Sequence, residues 1–415
     1  MVSIVEYVDR LVDDELERVL GAFPAVMVVG PRACGKTTTS MRLAESVVRL
    51  DQPAMANVFR YDPDAALAER DEPVLLDEWQ DVPEVLGAVK RSVDLESRPG
   101  RFVLTGSVSG AVEAASWPGT GRLIRVPMYG MTVRETIGAV RGRPSLAAVL
   151  RGEVQLPSER PDLLGYLDRA LTGGFPEAVR LDSPVDRRQW LDSYIDQMVG
   201  RDVGRVGERR DPNRLRRYLQ AWALNSAGAA DDVTIYRTVG IDRRTHVAYE
   251  QLLINMFVAE LVPAWSTNRL KRLVRSPKRY VVDPAMMAAA ARIGRSDVLD
   301  DAGLLGRIVD TFVASEIRSH AAVEPSRPQM FHLRTEGGRQ EIDLLLEYDG
   351  GQVFAIEVKA SAIPTLKDGR HLVWLRDELG ERFAGGVVFH TGPEMLDLSD
   401  RIKAIPICAL WGAVA

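Results

Sequence analysis

Cysteine is scarce in this sequence, and long apolar runs are missing from it. The two cysteines, Cys34 and Cys408, lie far apart in the chain. This excludes a disulfide framework and a cysteine-ligated zinc site, and it fits a reducing compartment. No apolar run approaches the roughly 18 residues that a membrane span needs. The opening stretch MVSIVEYVDRLVDDELERVL is acidic and amphipathic, unlike a signal peptide. We therefore expect a cytoplasmic protein without a membrane partner.

Lysine is also rare, and the overall charge is slightly acidic. Seven of the 53 basic residues are lysines, which leaves 53 − 7 = 46 arginines, and the formal net charge is −5. Binding of nucleic acid through the field of the whole protein is therefore excluded, and a local basic patch would be needed. The chain of 415 residues is too long for one hydrophobic core, which predicts two or three domains.

A phosphate-binding loop is predicted near the amino end. The stretch AVMVVGPRACGKTTTS begins as an apolar strand at Ala25 and continues as a helix from Lys36. Its glycines allow backbone N–H groups to surround phosphate oxygens, and the helix N-terminus adds partial positive charge. Lys36 would reach the outer phosphates, and the Thr37 hydroxyl would bind Mg²⁺. The predicted nucleotide-binding residues are Gly30, Pro31, Arg32, Ala33, Cys34, Gly35, Lys36, Thr37 and Thr38.

The remaining parts of a nucleotide hydrolase follow in order. NVFRYD is a candidate second strand, and PVLLDEWQ is an apolar strand ending at Asp77 and Glu78. Asp77 would hold Mg²⁺ through water, and Glu78 would polarise the attacking water. RFVLTGS places Thr105 at the carboxyl end of a further strand, where ligands of open α/β sheets lie. Arg122 or Arg125, in GTGRLIRVPM, is a candidate for stabilising phosphate charge, either in its own subunit or, in a homo-oligomer, in a neighbouring one. Surface solvation explains each of these arginines equally well.

Together these motifs resemble a widespread group of prokaryotic AAA-type ATPases that carry a C-terminal domain of unknown function. The resemblance rests on GPRACGKTT, LLDEWQDVPEVL, FVLTGS, GTGR and GGFPEAV, and it continues through RLVRSPKRYVVDPAM and EIDLLLEYDGGQVFAIEVKAS. It implies an α/β fold with the parallel sheet of a P-loop NTPase, with ATP and Mg²⁺ as cofactors.

The middle of the chain changes to helical periodicity and contains a basic run. A short helix, a Gly-Ile-Asp turn and a longer helix from Arg243 predict a helix-turn-helix, and NRLKRLVRSPKRYVVD follows as a hairpin wing. This winged-helix module is similar to what the family carries. It would either bind nucleic acid, DNA in the first place, or pack as a protein-protein joint. The candidate nucleic-acid contacts are Arg243, Arg244, Lys271, Arg272, Arg275 and Lys278.

The last segment carries a third candidate site. Strand alternation places Asp343 on one face of a hairpin together with Glu357 and Lys359 of the next strand. This arrangement resembles the PD-(D/E)xK, or restriction-endonuclease-like, fold, which also uses a glutamate of the preceding helix, here Glu316. In that fold Asp343 and Glu357 would bind Mg²⁺ and Lys359 would act on water. The alternative is an amphipathic hairpin with one solvated face.

These segments predict three domains and several functions. The domains are an ATPase domain over 1–185, a helical winged-helix module over 186–295 and a nuclease-like domain over 296–415. The leading hypothesis is a Mg²⁺-dependent ATPase that couples hydrolysis to a nucleic-acid-binding or nuclease-like C-terminal half. The alternatives are a regulatory or defence-type switch whose C-terminal fold binds without cleaving, and a chaperone-like or toxin-linked partner. Cys34, inside the phosphate loop, is also expected to be a reactive thiol that nucleotide protects.

Overall fold

The computed structural model describes residues 7–106, 121–202, 211–267 and 276–415. Two compact units divide the chain. Unit 1 comprises Met1–Gly130 and Asn255–Val258, and unit 2 comprises Met131–Ile254 and Ala259–Ala415. The domain boundaries expected at 185 and 295 both lie within unit 2, and the three-domain division stays a prediction. Among the described residues, no helix is both long and apolar enough to cross a membrane.

Unit 1 contains a five-stranded sheet in which every neighbouring pair is parallel. The sheet order is β2-β3-β4-β1-β5. β3 and β4 are buried along their whole length, as expected for central strands of a parallel sheet covered on both faces. The strands are Ala25–Val29 (β1), Ser46–Arg49 (β2), Val74–Asp77 (β3), Phe102–Gly106 (β4) and Leu123–Pro127 (β5).

The helices of unit 1 bury apolar side chains against this sheet. Phe59, Val89 and Trp79 are almost completely buried and share one core with Phe102 of β4. The stretch NVFRYD lies in a helix, and the second strand is SVVR, so that part of the strand assignment is wrong. The helices are Asp13–Leu20, Lys36–Met41, Pro53–Tyr61, Pro63–Ala68 and Val85–Leu95.

Unit 2 begins with helices and two small sheets. β6 (Val154–Gln155) pairs with β15 (Ala413–Val414) near the end of the chain, and β7 (Ala259–Val262) pairs antiparallel with β8 (Lys278–Val281). The helices up to β7 are Val133–Thr136, Leu146–Arg151, Leu163–Thr172, Pro176–Val179, Pro184–Gln197, Pro212–Leu224, Asp232–Val239 and Arg243–Asn255.

A six-stranded mixed sheet forms the C-terminal part of unit 2. Its order is β13-β14-β12-β11-β10-β9. β9, β10 and β11 are antiparallel neighbours, and β11, β12 and β14 run parallel. The strands are Gln329–Arg334 (β9), Glu341–Glu347 (β10), Val353–Lys359 (β11), Phe383–His390 (β12), Leu396–Ser399 (β13) and Ile402–Pro406 (β14).

The helices after β8 are Pro284–Ala291, Arg295–Asp300, Ala302–Ala322 and Arg370–Leu379. Of these, Ala302–Ala322 and Arg370–Leu379 pack against the six-stranded sheet. The sheet core includes Leu345, Leu372 and Val388, all fully buried. From the helix Ala302–Ala322 to β14 the order is one helix, three strands, one helix and three strands.

Candidate functional site

The loop after β1 has the backbone that a phosphate-binding loop needs. It leads directly from Val29 into the helix Lys36–Met41. Gly30 has φ +158°, and a Cβ at this position would lie 1.9 Å from the Met128 carbonyl oxygen. Gly35 has φ +102°, which L side chains rarely adopt. Only glycine fits either position, so the loop can close tightly around an anion.

Lys36 lies across this loop rather than in solvent. Its side chain is buried, and Nζ donates hydrogen bonds to the carbonyl oxygens of Gly30 at 3.0 Å and Pro31 at 2.7 Å. The ammonium group is therefore held inside the loop. This is the position from which it can meet the outer phosphates of a bound nucleotide.

Three residues from three elements converge beside the loop. The strand register places Asp77 of β3 opposite Thr105 of β4, at the carboxyl ends of both strands. Asp77 Oδ1 accepts hydrogen bonds from the hydroxyl of Thr105 and, at 2.8 Å, from that of Thr37. Hydroxyl and carboxylate oxygens are the ligands that Mg²⁺ prefers. Thr37 and Asp77 therefore fit the magnesium-binding role that the sequence predicts.

Glu78 follows Asp77 in a left-handed backbone conformation, with φ 54° and ψ 46°. Its carboxylate accepts a hydrogen bond from the Gln80 amide. Burial raises the pKa of Glu78, while Gln80 and the positive charge of Lys36 act in the opposite direction. A raised pKa makes a carboxylate a better proton acceptor, which suits a group that orients water for attack.

Two predicted roles near this site are contradicted. Arg122 immediately precedes β5, whose Leu123 pairs with Ala25 at the start of β1. It therefore lies roughly 20 Å along the strand direction from Gly30. Arg122 pairs with Asp94 instead. It cannot act on phosphate in its own subunit, and action on a neighbouring subunit stays a prediction.

Cys34 faces away from the phosphate cradle. Its side chain is fully buried, and Sγ lies 3.5 Å from the Met128 carbonyl oxygen. Only its backbone remains available to phosphate. The prediction that Cys34 is a reactive thiol is therefore wrong, because reagents have no access to the sulfur atom.

In unit 2, the charged residues of the C-terminal hairpin come together as predicted. Asp343 Oδ2 accepts a hydrogen bond from the Val358 N–H at 3.0 Å, and Lys359 Nζ donates to Glu357 at 2.7 Å. Burial, followed by repulsion from Asp343, raises the pKa of Glu357 to about 8. The solvated-face alternative is wrong for Glu357, because its side chain is 4% exposed.

A lysine that the sequence assigns to a nucleic-acid surface occupies this cluster. Lys278 of β8 is buried, and its Nζ donates to Asp310 at 2.7 Å and to Asp343 Oδ1 at 3.1 Å. Tyr280 donates a further hydrogen bond to Asp310. Burial alone would lower the pKa of Lys278, but the two carboxylates hold it well above its ordinary value. Lys278 is therefore an internal cation and not a surface contact.

The helix glutamate is also misassigned. Glu316 is buried, and its Oε1 accepts a hydrogen bond from the Val133 N–H at 3.0 Å. The carboxylate of the same helix that belongs to the cluster is Asp310. Sequence reasoning missed Asp310 and Tyr280. The available signal was an acidic residue inside the apolar run Ile308–Val313, where an unpaired charge would be costly.

The other predicted nucleic-acid contacts have mixed outcomes. Arg243 and Arg244 are exposed at the start of the helix Arg243–Asn255. Lys271, Arg272 and Arg275 lie outside the described residues.

Comparison with known families divides the chain into three matched segments. Residues 22–137 match an AAA domain, residues 164–297 match a domain of unknown function (DUF8612), and residues 305–410 match another domain of unknown function (DUF4143). The first segment thus has the AAA-type P-loop fold, and the family match supports ATP binding and hydrolysis. The family of the C-terminal segment carries no assigned activity.

Relatives of similar length are known. The uncharacterized proteins Rv2008c of Mycobacterium tuberculosis and Mb2031c of Mycobacterium bovis are each 26% identical over 397 residues, covering 94% of this chain and 82% of theirs. Among solved structures, the Walker-type ATPase of Pyrococcus abyssi is 15% identical, with a TM-score of 0.43, and covers 68% of this chain and 94% of its own.

Proposed function

We propose that this protein is a Mg²⁺-dependent ATP hydrolase whose nucleotide site lies at residues 30–38. One observation carries the proposal. The Thr37 hydroxyl, the Asp77 carboxylate and the Thr105 hydroxyl form one hydrogen-bonded group beside a loop that already holds the Lys36 ammonium. Such a set of donors and acceptors is what a nucleoside triphosphate with its metal ion requires.

Each residue has a distinct part in that reaction. The loop N–H groups and Lys36 would bind and orient the phosphates, and Glu78 would orient water and accept its proton. A magnesium ion held by Thr37 and Asp77 would neutralise charge on the outer phosphates. Thr105 would keep the Asp77 carboxylate in place through its hydrogen bond.

Two substitutions separate binding from turnover. Lys36→Ala should abolish tight ATP binding, because it removes the cation inside the loop. Glu78→Gln should retain binding while hydrolysis falls about 100- to 10,000-fold, the usual contribution of a proton-transfer group. Fluorescent-nucleotide titration and phosphate release measure the two effects. Lys90→Ala and Glu84→Gln change the same residue types elsewhere in unit 1 and should behave like the parent. Hydrolysis at the parent rate by Glu78→Gln contradicts the assignment.

We further propose that hydrolysis is coupled to unit 2, with nucleic acid as the first candidate partner. The helices Asp232–Val239 and Arg243–Asn255, followed by the β7–β8 pair, have the element order of a winged helix. Exposed Arg243 and Arg244 head the second helix. The ATPase rate should be measured with single- and double-stranded DNA and RNA. Stimulation that is lost in Arg243→Ala/Arg244→Ala supports the coupling, and an unchanged rate with every nucleic acid contradicts it.

Buried Lys278 favours the second candidate, a C-terminal fold that binds without cleaving. Its ammonium group already neutralises Asp343, the carboxylate that a metal-dependent nuclease would need for its ion. Labelled DNA and RNA incubated with the protein, ATP and Mg²⁺ or Mn²⁺ should stay intact. Cleavage that Asp343→Ala abolishes would restore the nuclease hypothesis.

A further inference from the structure

Three side chains of the helical part of unit 2 form a cluster that has no part in the functions proposed above. Asp232 lies in the first turn of the helix Asp232–Val239, and His246 and Glu250 lie one turn apart on the next helix. Residues four apart share one helix face. His246 Nε2 is 3.7 Å from Asp232 Oδ1 and 4.0 Å from Glu250 Oε1. All three ligand atoms lie within 4.8 Å of one another.

The imidazole of His246 is buried and aimed into this cluster. Its side chain is 1% exposed, and Nδ1 lies 2.9 Å from the Tyr218 hydroxyl. Nε2 forms no hydrogen bond, although it is buried. Glu250 Oε1 likewise accepts no hydrogen bond. When Nδ1–H donates to Tyr218, the lone pair of Nε2 points between two carboxylates. Metal-ligating histidines are commonly fixed in this way by a hydrogen bond at the other ring nitrogen.

We propose that Asp232, His246 and Glu250 bind one divalent ion of the Zn²⁺ class. Imidazole selects such ions over Mg²⁺ and Ca²⁺, which prefer oxygen ligands alone. Zinc bonds of about 2.0–2.2 Å in tetrahedral geometry hold ligand atoms roughly 3.3–3.5 Å apart. The two carboxylate oxygens would have to move about 0.2–0.7 Å closer to His246 Nε2 and up to about 1.5 Å closer to each other. Half-exposed Asp232 provides the entry path from solvent.

Arg279 is the competing cation in this cluster. Its guanidinium donates to Asp232 Oδ1, the oxygen that also faces His246, and to the Ala230 carbonyl oxygen, and it lies 3.5 Å from Glu250 Oε1. Two carboxylates against one guanidinium, with neutral imidazole, leave the cluster one negative charge in excess. An ion would have to displace the guanidinium from Asp232 Oδ1, so Arg279 competes with the metal for that oxygen.

Metal binding would fix the angle between two successive helices. Asp232 belongs to the first helix, and His246 and Glu250 belong to the second. An ion shared by all three would brace the turn around Gly240 that connects them. With three protein ligands, the fourth position of the ion would be left for a water molecule.

The test is Zn²⁺ binding by the full chain after chelator treatment, with Mg²⁺ in excess to occupy sites made of oxygen ligands alone. Elemental analysis should give one Zn²⁺ per chain, and Co²⁺ substitution should give visible d–d absorption. His246→Gln, Asp232→Asn and Glu250→Gln should each weaken Zn²⁺ binding at least about 100-fold. Tyr218→Phe should weaken it about 10- to 100-fold, the usual cost of losing an outer-shell hydrogen bond.

Matched controls make the result decisive. Asp231→Asn changes the adjacent helix-capping residue, and His371→Gln changes a histidine elsewhere, so both should retain the ion. Circular dichroism identifies any variant that does not fold. Zn²⁺ binding is then compared among the variants that do fold. Absence of Zn²⁺ from the parent protein overturns the proposal, as does binding that survives in folded His246→Gln or is lost in the controls. If Arg279→Met binds Zn²⁺ and the parent does not, Arg279 is the resident cation and the proposal is wrong.

Discussion

At the scale of single residues, Glu316 shows how burial shifts the protonation of a carboxylate. Burial raises its pKa to about 8, and the Val133 N–H partly offsets this effect. Oε2 accepts no hydrogen bond, so the ionised form is poorly satisfied. The folded pKa lies above the ordinary value of 4.5. The contribution of this group to stability is therefore complete below pH 4.5 and is lost as the pH rises through 8.

Glu316→Gln should therefore flatten the pH dependence of stability. The parent protein should lose up to about 1.4 kcal/mol per pH unit through this group between pH 4.5 and 8, whereas the amide has no proton to lose. Melting temperatures from pH 5 to 9 measure the difference between the two proteins. Exposed Glu378→Gln should leave the parent profile unchanged. Parallel profiles for Glu316→Gln and the parent would show that the buried group does not titrate here.

The two thiols should be unreactive in the native protein. Cys34 and Cys408 are both fully buried. A thiol-exchange reagent should therefore release no chromophore from the folded chain, and it should titrate two thiols after denaturation. ATP with Mg²⁺ should make no difference, because the Cys34 sulfur does not face the phosphates. Rapid labelling of the native protein, slowed by nucleotide, would show instead that the Cys34 thiol is accessible in the phosphate loop.

The nucleotide site and the cluster around Lys278 differ in how far the sequence could predict them. Lys36 and Thr37 are adjacent in one motif, and Asp77 follows about 40 residues later at the end of an apolar strand, so spacing and strand order were enough. Lys278 was misassigned because its partners, Asp310 and Asp343, belong to different elements. Nothing in a basic run of sequence shows which lysine will be buried by distant carboxylates.

At the scale of elements, β8 is buried along its whole length, and Lys278 is buried with it. Lys278→Met should cost about 3–5 kcal/mol, because Asp310 and Asp343 would lose their common counter-ion. Mn²⁺ should then raise the melting temperature of this variant by several degrees, since a divalent ion can replace the ammonium group. Thermal melts with and without Mn²⁺ measure this rescue.

Lys403→Met is the matched control for that experiment. Lys403 pairs with Asp397 on the surface, where loss of an ion pair costs at most about 1 kcal/mol. Adding Asp310→Asn to Lys278→Met should recover part of the stability and reduce the response to Mn²⁺. Equal Mn²⁺ shifts in the parent and in Lys278→Met would mean that the lysine does not compete with metal.

Element types were predicted well where apolar runs were long and poorly where they were short. The buried strands β3 and β4 lie where sequence places them. NVFRYD, the candidate second strand, is the exception, because it does not form a strand. Pro53 begins a helix instead, in which buried Ala56 and Phe59 lie three residues apart on one face.

At the scale of the whole molecule, hydrogen bonds connect segments that sequence analysis assigned to different domains. Arg134 donates to the carbonyl oxygens of Leu410 and Gly412, and β6 pairs with β15. Lys278, which precedes the expected boundary at 295, pairs with Asp310 and Asp343, which follow it. The three-domain division remains a prediction, but both of its boundaries pass through compact unit 2.

A fragment of residues 131–415 should therefore fold by itself, whereas residues 296–415 should not. The shorter fragment keeps Asp310 and Asp343 without Lys278. It also lacks β6, the strand that pairs with β15. Circular dichroism and thermal melting of the two fragments distinguish these outcomes. A cooperative melt of 296–415 without divalent ions would show that the last segment is an independent domain.

The Lys278–Asp343 ion pair also sets an order of events during synthesis. The two residues are 65 positions apart in the chain. At an elongation rate of about 5–20 residues per second, the ribosome adds the aspartate roughly 3–13 seconds after the lysine. During that interval the nascent β8 carries an ammonium group whose second carboxylate has not been made. Burial of this strand must wait for the C-terminal hairpin, so the middle of unit 2 is expected to become protease-resistant only after that hairpin has left the ribosome.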